Sequence, residues 1–266
     1  KNLEAYKTWL LDRSESCEIM ISRFTYNKNA FNNPSKSKPG KQVSEEESCW
    51  YDPQLLPYVC DDPEKHGTCR WQLAPDLWFA AEMQIEPTAQ RPLSGLHTYA
   101  SGDSCIFPHV RIAMEPVPRM PGKEPVHVYT TGTVTGRNYI QRKAGLKAQF
   151  HHQSGCLIVE VNENGSWWTR QLNADSSGSF YDIHSGSVIK VSQGEVTTDH
   201  RLEAFNPGDI HTEEIPEEVI EYYWGPGGVT DQLKPRYQFC HDLQSFRARN
   251  HHEMKSFAKN YEKYIK

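Results

Sequence analysis

The sequence predicts an α/β protein, α+β overall, in which a β-rich middle region leads into a strand-helix-strand crossover. Three observations carry this prediction. Leu3, Tyr6 and Leu10 recur at helical spacing within the opening LEAYKTWLL. Between residues 155 and 200, short runs of β-branched and aromatic residues are separated by Asn, Gly, Ser and Asp. From residue 201 onward the pattern changes to strand, helix, strand. A chain of 266 residues is long enough for a sizeable core and for more than one compact unit. We read three regions: an N-terminal α/β region with a long polar loop (1–125), a β-rich region (126–200), and the start of a further domain (201–266).

Taken in order, residues 3–11 read as a helix and residues 18–26 (EIMISRFTY) as a strand. Residues 27–70 are polar and rich in Ser, Lys, Glu and Pro, with SKSKPGK at 35–41 the most linker-like part, so a long loop is expected. Residues 76–86 (DLWFAAEMQIE) return to a buried element. A short apolar stretch at 106–114 precedes a proline-rich turn at 116–125. GCLIVEV (155–161), Asn162 to Gly165 and SWWTRQL (166–172) read as a hairpin whose Asn-Gly suits a tight turn with positive φ. Trp167 and Trp168 are adjacent and would face opposite sides of a strand, at least one of them toward the core. Further short strands are expected at 180–183, 187–191 and 195–198. Residues 201–205 then form a strand, 216–224 a helix with Pro at its start, and 237–240 a second strand, an order that implies a right-handed βαβ crossover.

The chain carries a net charge of −5 with 37% hydrophobic and 24% charged residues. Binding to a polyanion must therefore use a local basic patch or metal ions rather than the field of the whole protein. No run of about 18 apolar residues could cross a bilayer, and no apolar segment opens the chain. No membrane partner is expected. Seven cysteines are scattered without a CxxC pair, which fits reduced thiols in a cytosol. Cys49, Cys60, His66 and Cys69 fall in one polar segment and could form a zinc knot. Their spacing matches none of the common zinc patterns, so ordinary loop thiols stand beside that reading. The chain begins without methionine and stops inside an expected helix at 256–266, which leads us to expect part of a longer protein.

Metal-ligand residue types gather near the end: Gly208-Asp209-Ile210-His211, His241-Asp242 and Arg249-Asn250-His251-His252. In an open α/β sheet, ligands bind beyond the carboxyl ends of parallel strands. Asp209 and His211 follow the first strand of the crossover and His241-Asp242 the second. The two aspartates stand 33 residues apart (242 − 209), about what one βαβ unit of roughly 30 residues needs. Both acids then reach one sheet edge, where carboxylates can share divalent ions about 3.5 to 4 Å apart. The plainer alternative is that Asp209 caps a turn and Asp242 caps a helix.

Gly-Asp-Ile-His after a strand, with Asp242 ending the next, resembles the first motifs of the calcineurin-like metallophosphoesterases. RPLSG (91–95), IFPH (106–109), YTTGTVTGRNYIQRKAG (129–145), FHH (150–152) and RQLNAD (170–175) extend the likeness to a bacteriophage group of that superfamily, one of pre-early, DNA-degrading nucleases. The superfamily motifs cover only the last quarter of the chain, and the phage-group likeness most of it. The resemblance implies the first βαβ unit of a metallophosphoesterase sandwich and two Mn²⁺ or Mg²⁺ ions. Asp209 and His211 would hold the first ion and Asp242 would bridge both. It further implies hydrolysis of DNA in the cytoplasm of an infected bacterium.

The chain departs from that pattern in two places. His241 stands where most members have Gly. Asn250 follows Asp242 by only eight residues (250 − 242), where the family inserts a helix and a strand, so the remaining ligands are expected beyond Lys266. Asn250 stays a candidate ligand, and His251 and His252 stay candidate catalytic residues.

A second candidate surface is Arg137, Arg142, Lys143 and Lys147, interleaved with Tyr139. Arginine and lysine position phosphates, and an aromatic ring can stack on a base; a solvated strand-turn face is the alternative. This segment and the β-rich middle would hold DNA or further subunits of a homo-oligomer. His151 and His152 could join a metal site or the core. The alternatives to a nuclease are a non-catalytic DNA-binding or assembly fragment and a phosphomonoesterase.

Overall fold

In the computed structural model, the described residues are 1–13, 16–23, 52–62, 66–67, 69–83, 85–123, 125–137, 139, 141–212 and 215–243. They form a mixed α/β structure. It divides into one unit of residues 1–180 and 191–195 and another of residues 181–190 and 196–266. Among the described residues no helix is long and apolar enough to cross a membrane.

The first unit is built on a five-stranded mixed sheet in the order β1-β2-β3-β5-β4. Its strands are β1 (Arg70–Ala74), β2 (Leu77–Ala80), β3 (Ser104–Phe107), β4 (Met114–Val117) and β5 (Val126–Thr130). β2, β3 and β5 run parallel to one another, and β1 and β4 pair antiparallel at the two edges. Alternation along the strands sorts side chains to two faces. Leu77, Phe79, Ile106 and Tyr129 join Cys60, Ala74 and Ala81 in one core cluster. Ala80, Cys105, Phe107 and Val128 join Leu93 and Ala100 in the other. All four residues of β3 are buried, as a central parallel strand covered on both faces requires.

The predicted hairpin forms as β6 (Gly155–Val161) and β7 (Trp167–Asn173), paired in register from Gly155 with Asn173 to Val161 with Trp167. Asn162 Oδ1 accepts hydrogen bonds from the amides of Asn164 and Ser166, and Gly165 takes φ of 79°. Trp167 packs on the first core cluster while Trp168 is exposed, as their adjacency demands. Helix α1 (Asn2–Leu11) buries Tyr6, whose ring meets Phe180 edge-on at 5.3 Å.

Several expectations are corrected. Within the described part of 18–26 there is no strand, only an isolated bridge from Ile21 to Val59; the flanking residues are half-exposed and find no second partner strand. The described part of the polar segment includes a 3₁₀ turn at Leu56–Tyr58, and β1 begins at Arg70, where that segment is expected to end. The buried element expected at 76–86 is the second arm of a hairpin that starts at Arg70 and ends at Ala80. Pro116 lies in β4, not in a turn; an edge strand tolerates its missing N–H. Residues Lys143–His151 form helix α2 where a strand-turn face was the structural alternative, with Gly145 and Ala148 as its buried side.

The second unit contains most of a three-stranded sheet of β8 (Phe180–His184), β9 (Ser187–Ser192) and β10 (Glu195–His200) in the order β10-β9-β8. Ser185-Gly186, between its first two strands, takes positive φ at both residues and so matches the right-handed strand twist. The predicted crossover follows. β11 (Ala204–Phe205) and β12 (Tyr237–Gln238) pair parallel, with α3 (Glu217–Trp224) and α4 (Val229–Leu233) between them. Pro216 caps α3 in extended conformation, the role that its fixed φ and missing donor suit.

Candidate metal centre

The parallel pairing of the crossover extends beyond its two short strands. The amides of Arg236, Tyr237 and Phe239 donate to the carbonyls of Leu202, Glu203 and Phe205. After a gap, those of Ile210, His211 and Thr212 donate to His241, Asp242 and Leu243. Ala204 faces Tyr237, an offset of 33, and Asp209 bridges to His241, an offset of 32. Asn206-Pro207-Gly208 thus inserts one extra residue as a bulge. Asn206 Oδ1 accepts from the Gly208 amide at 3.0 Å, and Gly208 takes φ of 87°.

The bulge delivers Asp209 directly beside His241. The His241 ring nitrogen Nδ1 lies 2.5 Å from Asp209 Oδ1 and 3.7 Å from Asp242 Oδ2. Ligand atoms of Asp209, His241 and Asp242 all lie within 4.8 Å of one another, and among the described residues no other group of three such side chains does so. All three are exposed. The hydrogen bond to Asp209 and the charge of Asp242 hold the His241 imidazolium above its usual pKa.

The structure therefore brings together Asp209 and Asp242, as the spacing predicts, and adds His241, which the motif comparison treated only as a departure from glycine. A cue for His241 lay in the sequence: it precedes Asp242 directly, at the end of the same strand. His211 is not in this group. A φ of 45° interrupts the strand at His211 and turns it away from the alternation that would align it with Asp209. Its Nδ1 is buried and has no hydrogen-bond partner among the described residues. Two carboxylates and an imidazole make a donor set that suits a divalent ion such as Mn²⁺. Asn250, His251 and His252 lie outside the described residues.

Arg137, Arg142, Lys143 and Lys147 are all exposed. Arg142 caps α2, and Lys143 and Lys147 stand one helical turn apart. The Tyr139 hydroxyl is anchored to the core by a hydrogen bond to His152 Nδ1 at 2.7 Å. His152 Nε2 lies 3.0 Å from the Thr135 carbonyl, which can only accept, so the ring carries its proton there and Nδ1 accepts from Tyr139. Burial holds His152 below its usual pKa. His152 is thus a core residue.

Cys60, His66 and Cys69 do not form a ligand group, and Cys49 lies outside the described residues. Cys60 Sγ donates to the Ile21 carbonyl, burial pushes its thiol up to about 12, and His66 Nε2 is occupied by the Val59 carbonyl.

No protein-family model matches the sequence, and no solved structure does. One curated protein gives a close match: Protein A1 of Escherichia phage T5 is 36% identical over 270 residues, covering 98% of this chain and 44% of that protein. The chain spans less than half the length of this relative, and it is a homologue of a bacteriophage protein, phage T5 Protein A1.

Proposed function

We propose that the chain contributes the first half of a two-metal phosphodiesterase centre that hydrolyses DNA in the cytoplasm of an infected bacterium. One observation carries this reading: Asp209 and Asp242, from two parallel segments, converge with His241 within 4.8 Å. Asp209 and Asp242 would hold Mn²⁺ or Mg²⁺, with His241 as a nitrogen donor. Bound there, the ions would polarise a phosphate oxygen and lower the pKa of a water. The chain's own residues set the conditions. Asp209 fixes the His241 ring through Nδ1, and the proton on that nitrogen must leave before it can serve as a ligand. His251 and His252 are proposed to protonate the leaving alkoxide and Asn250 to ligate. These donors are too few for two complete coordination shells, so the reading assigns further ligands to other residues. Arg137, Arg142, Lys143 and Lys147 are proposed to contact DNA phosphates. The crossover is read as the opening βαβ unit of a metallophosphoesterase sandwich, and a homo-oligomer is compatible with it.

The exposure of the cluster favours one competing reading, a non-catalytic DNA-binding or assembly fragment. Incubation of the protein with duplex DNA and Mn²⁺ separates the two. The nuclease reading expects cleavage that EDTA abolishes and that Asp209→Ala or Asp242→Ala removes. DNA binding without cleavage, or cleavage indifferent to both substitutions, would refute it. A strong preference for a small aryl phosphate over DNA would indicate a phosphomonoesterase instead.

A further inference from the structure

The opposite end of the crossover carries a second feature. Arg201 precedes β11 and Lys234-Pro235 precede β12, whereas Asp209, His241 and Asp242 follow the two strands. The Arg236 amide bonds the Leu202 carbonyl at 3.0 Å, so the two strand entrances are held side by side. There an open groove of about 680 Å³ is lined by Arg201, Trp224, Thr230, Asp231, Lys234 and Gln238, together with the turn at Gly225-Pro226. Its volume is within the range of small-molecule sites, roughly 300–1,000 Å³.

The walls of this groove are fixed before any ligand arrives. Trp224 Nε1 donates to Gln238 Oε1 at 2.8 Å, which anchors the indole to β12. Thr230 Oγ1 donates to the Tyr223 carbonyl at 2.8 Å, and Asp231 Oδ2 accepts from the Gly227 amide at 2.9 Å. A Cβ added at Gly225 would meet the Glu221 carbonyl oxygen at 2.5 Å, and one at Gly228 the Tyr222 carbonyl oxygen at 2.6 Å. The loop is therefore fitted closely against the end of α3.

The charges are less settled than the walls. Arg236 nearby is paired with Glu203 at 3.2 Å. By contrast, among the described residues no carboxylate lies within salt-bridge distance of Arg201 or Lys234. Asp231 is the groove's one acid, and it is turned to the Gly227 amide. The lining thus has one net positive charge, two cations without a carboxylate partner among the described residues, and an indole. Two cations suit a phosphate, and an indole suits a base stacked on its face.

We propose that this groove binds a nucleotide unit, with its phosphate between Arg201 and Lys234 and its base against Trp224. The same chemistry could be presented by a free nucleotide or by one nucleotide of a single strand. None of the acid cluster takes part, so binding is independent of divalent metal, and its outcome is separable from that of the nuclease reading.

The test is calorimetric titration of the chain with dTMP, and fluorescence anisotropy of a labelled oligo-dT strand, both in EDTA. The double variant Arg201→Ala/Lys234→Ala is expected to weaken binding at least about tenfold, the scale of losing hydrogen bonds to a charged group. Arg236→Ala, at a cation already paired, is expected to change it little. Trp224→Leu should weaken binding and Trp224→Phe restore most of it, which distinguishes stacking from the lost Gln238 contact. The Arg201 and Lys234 side chains are on the surface, so thermal melting of the double variant should match wild type. Binding of dTMP identifies a free-nucleotide site. Oligo-dT binding with the same variant dependence, and none for dTMP, identifies a strand site. The proposal is overturned if dTMP gives no heat and oligo-dT binding is the same in wild type and the double variant. It is equally overturned if Arg236→Ala costs as much as the double variant.

Discussion

In an extended strand the side chains of His241 and Asp242 would point to opposite faces. A φ of 44° at Asp242 breaks that alternation and leaves its carboxylate 3.7 Å from the His241 ring. Asp and Asn tolerate this left-handed conformation better than most residues. Asp242→Asn should therefore keep the fold, with a stability change within about 0.5 kcal/mol, while weakening Mn²⁺ binding at least about tenfold. Calorimetric titration with Mn²⁺ beside a thermal melt checks both parts. In Asp209→Asn the His241 imidazole loses its strongest partner, and its pKa should fall back toward the usual value of 6.5, as an NMR titration of the ring would show. His109 and His152 behave in the opposite sense. Burial lowers both below 6.5, so the unfolded chain takes up their protons before the folded one does. Stability is complete above about pH 6.5 and should decline as the pH falls below it, which denaturant unfolding at pH 7 and pH 5 would detect. Tyr139→Phe leaves His152 Nδ1 buried without a donor and should cost about 1–3 kcal/mol.

At the scale of elements, the bulge at Asn206-Pro207-Gly208 decides where the first acid stands. Gly208 adopts φ of 87° with open space around the position of a Cβ. Gly208→Val would strain the backbone without a clash. We expect Mn²⁺ affinity to fall severalfold while the melting temperature moves by only a few degrees, about what 1 kcal/mol produces. Much of this part of the fold was legible in the sequence. The Asn-Gly hairpin, the short strands at 180–200 and the crossover follow from local patterns, because turn chemistry and β-branched runs act over a few residues. The convergence of Asp209 with Asp242 was legible for the same reason, through strand order. The bulge was not, since a one-residue register shift leaves no periodic trace in so short a strand. Helix α2 was hidden by its composition: Lys143, Lys147 and an exposed Phe150 give it no apolar stripe, and only Gly145 and Ala148 are buried. β1 was missed because it is only five residues long and starts where the polar segment ends, although Trp71, Leu73 and Ala74 join the first core cluster.

For the molecule as a whole, a net charge of −5 means that any DNA affinity would come from local features, and among the described residues the exposed cations of α2 and of the Arg201–Lys234 groove are candidates. Affinity for duplex DNA should fall steeply between 50 and 200 mM salt, and Lys143→Ala/Lys147→Ala should flatten that slope if α2 meets the backbone. The match to phage T5 Protein A1 covers 98% of the chain and 44% of that longer protein. The metal cluster is the feature on which the proposed activity depends. Anomalous scattering at the manganese edge, from crystals grown with Mn²⁺, tests it most directly. The account predicts a peak between the carboxylates of Asp209 and Asp242. Ions bound elsewhere, with those two carboxylates bonded only to backbone amides, would contradict it.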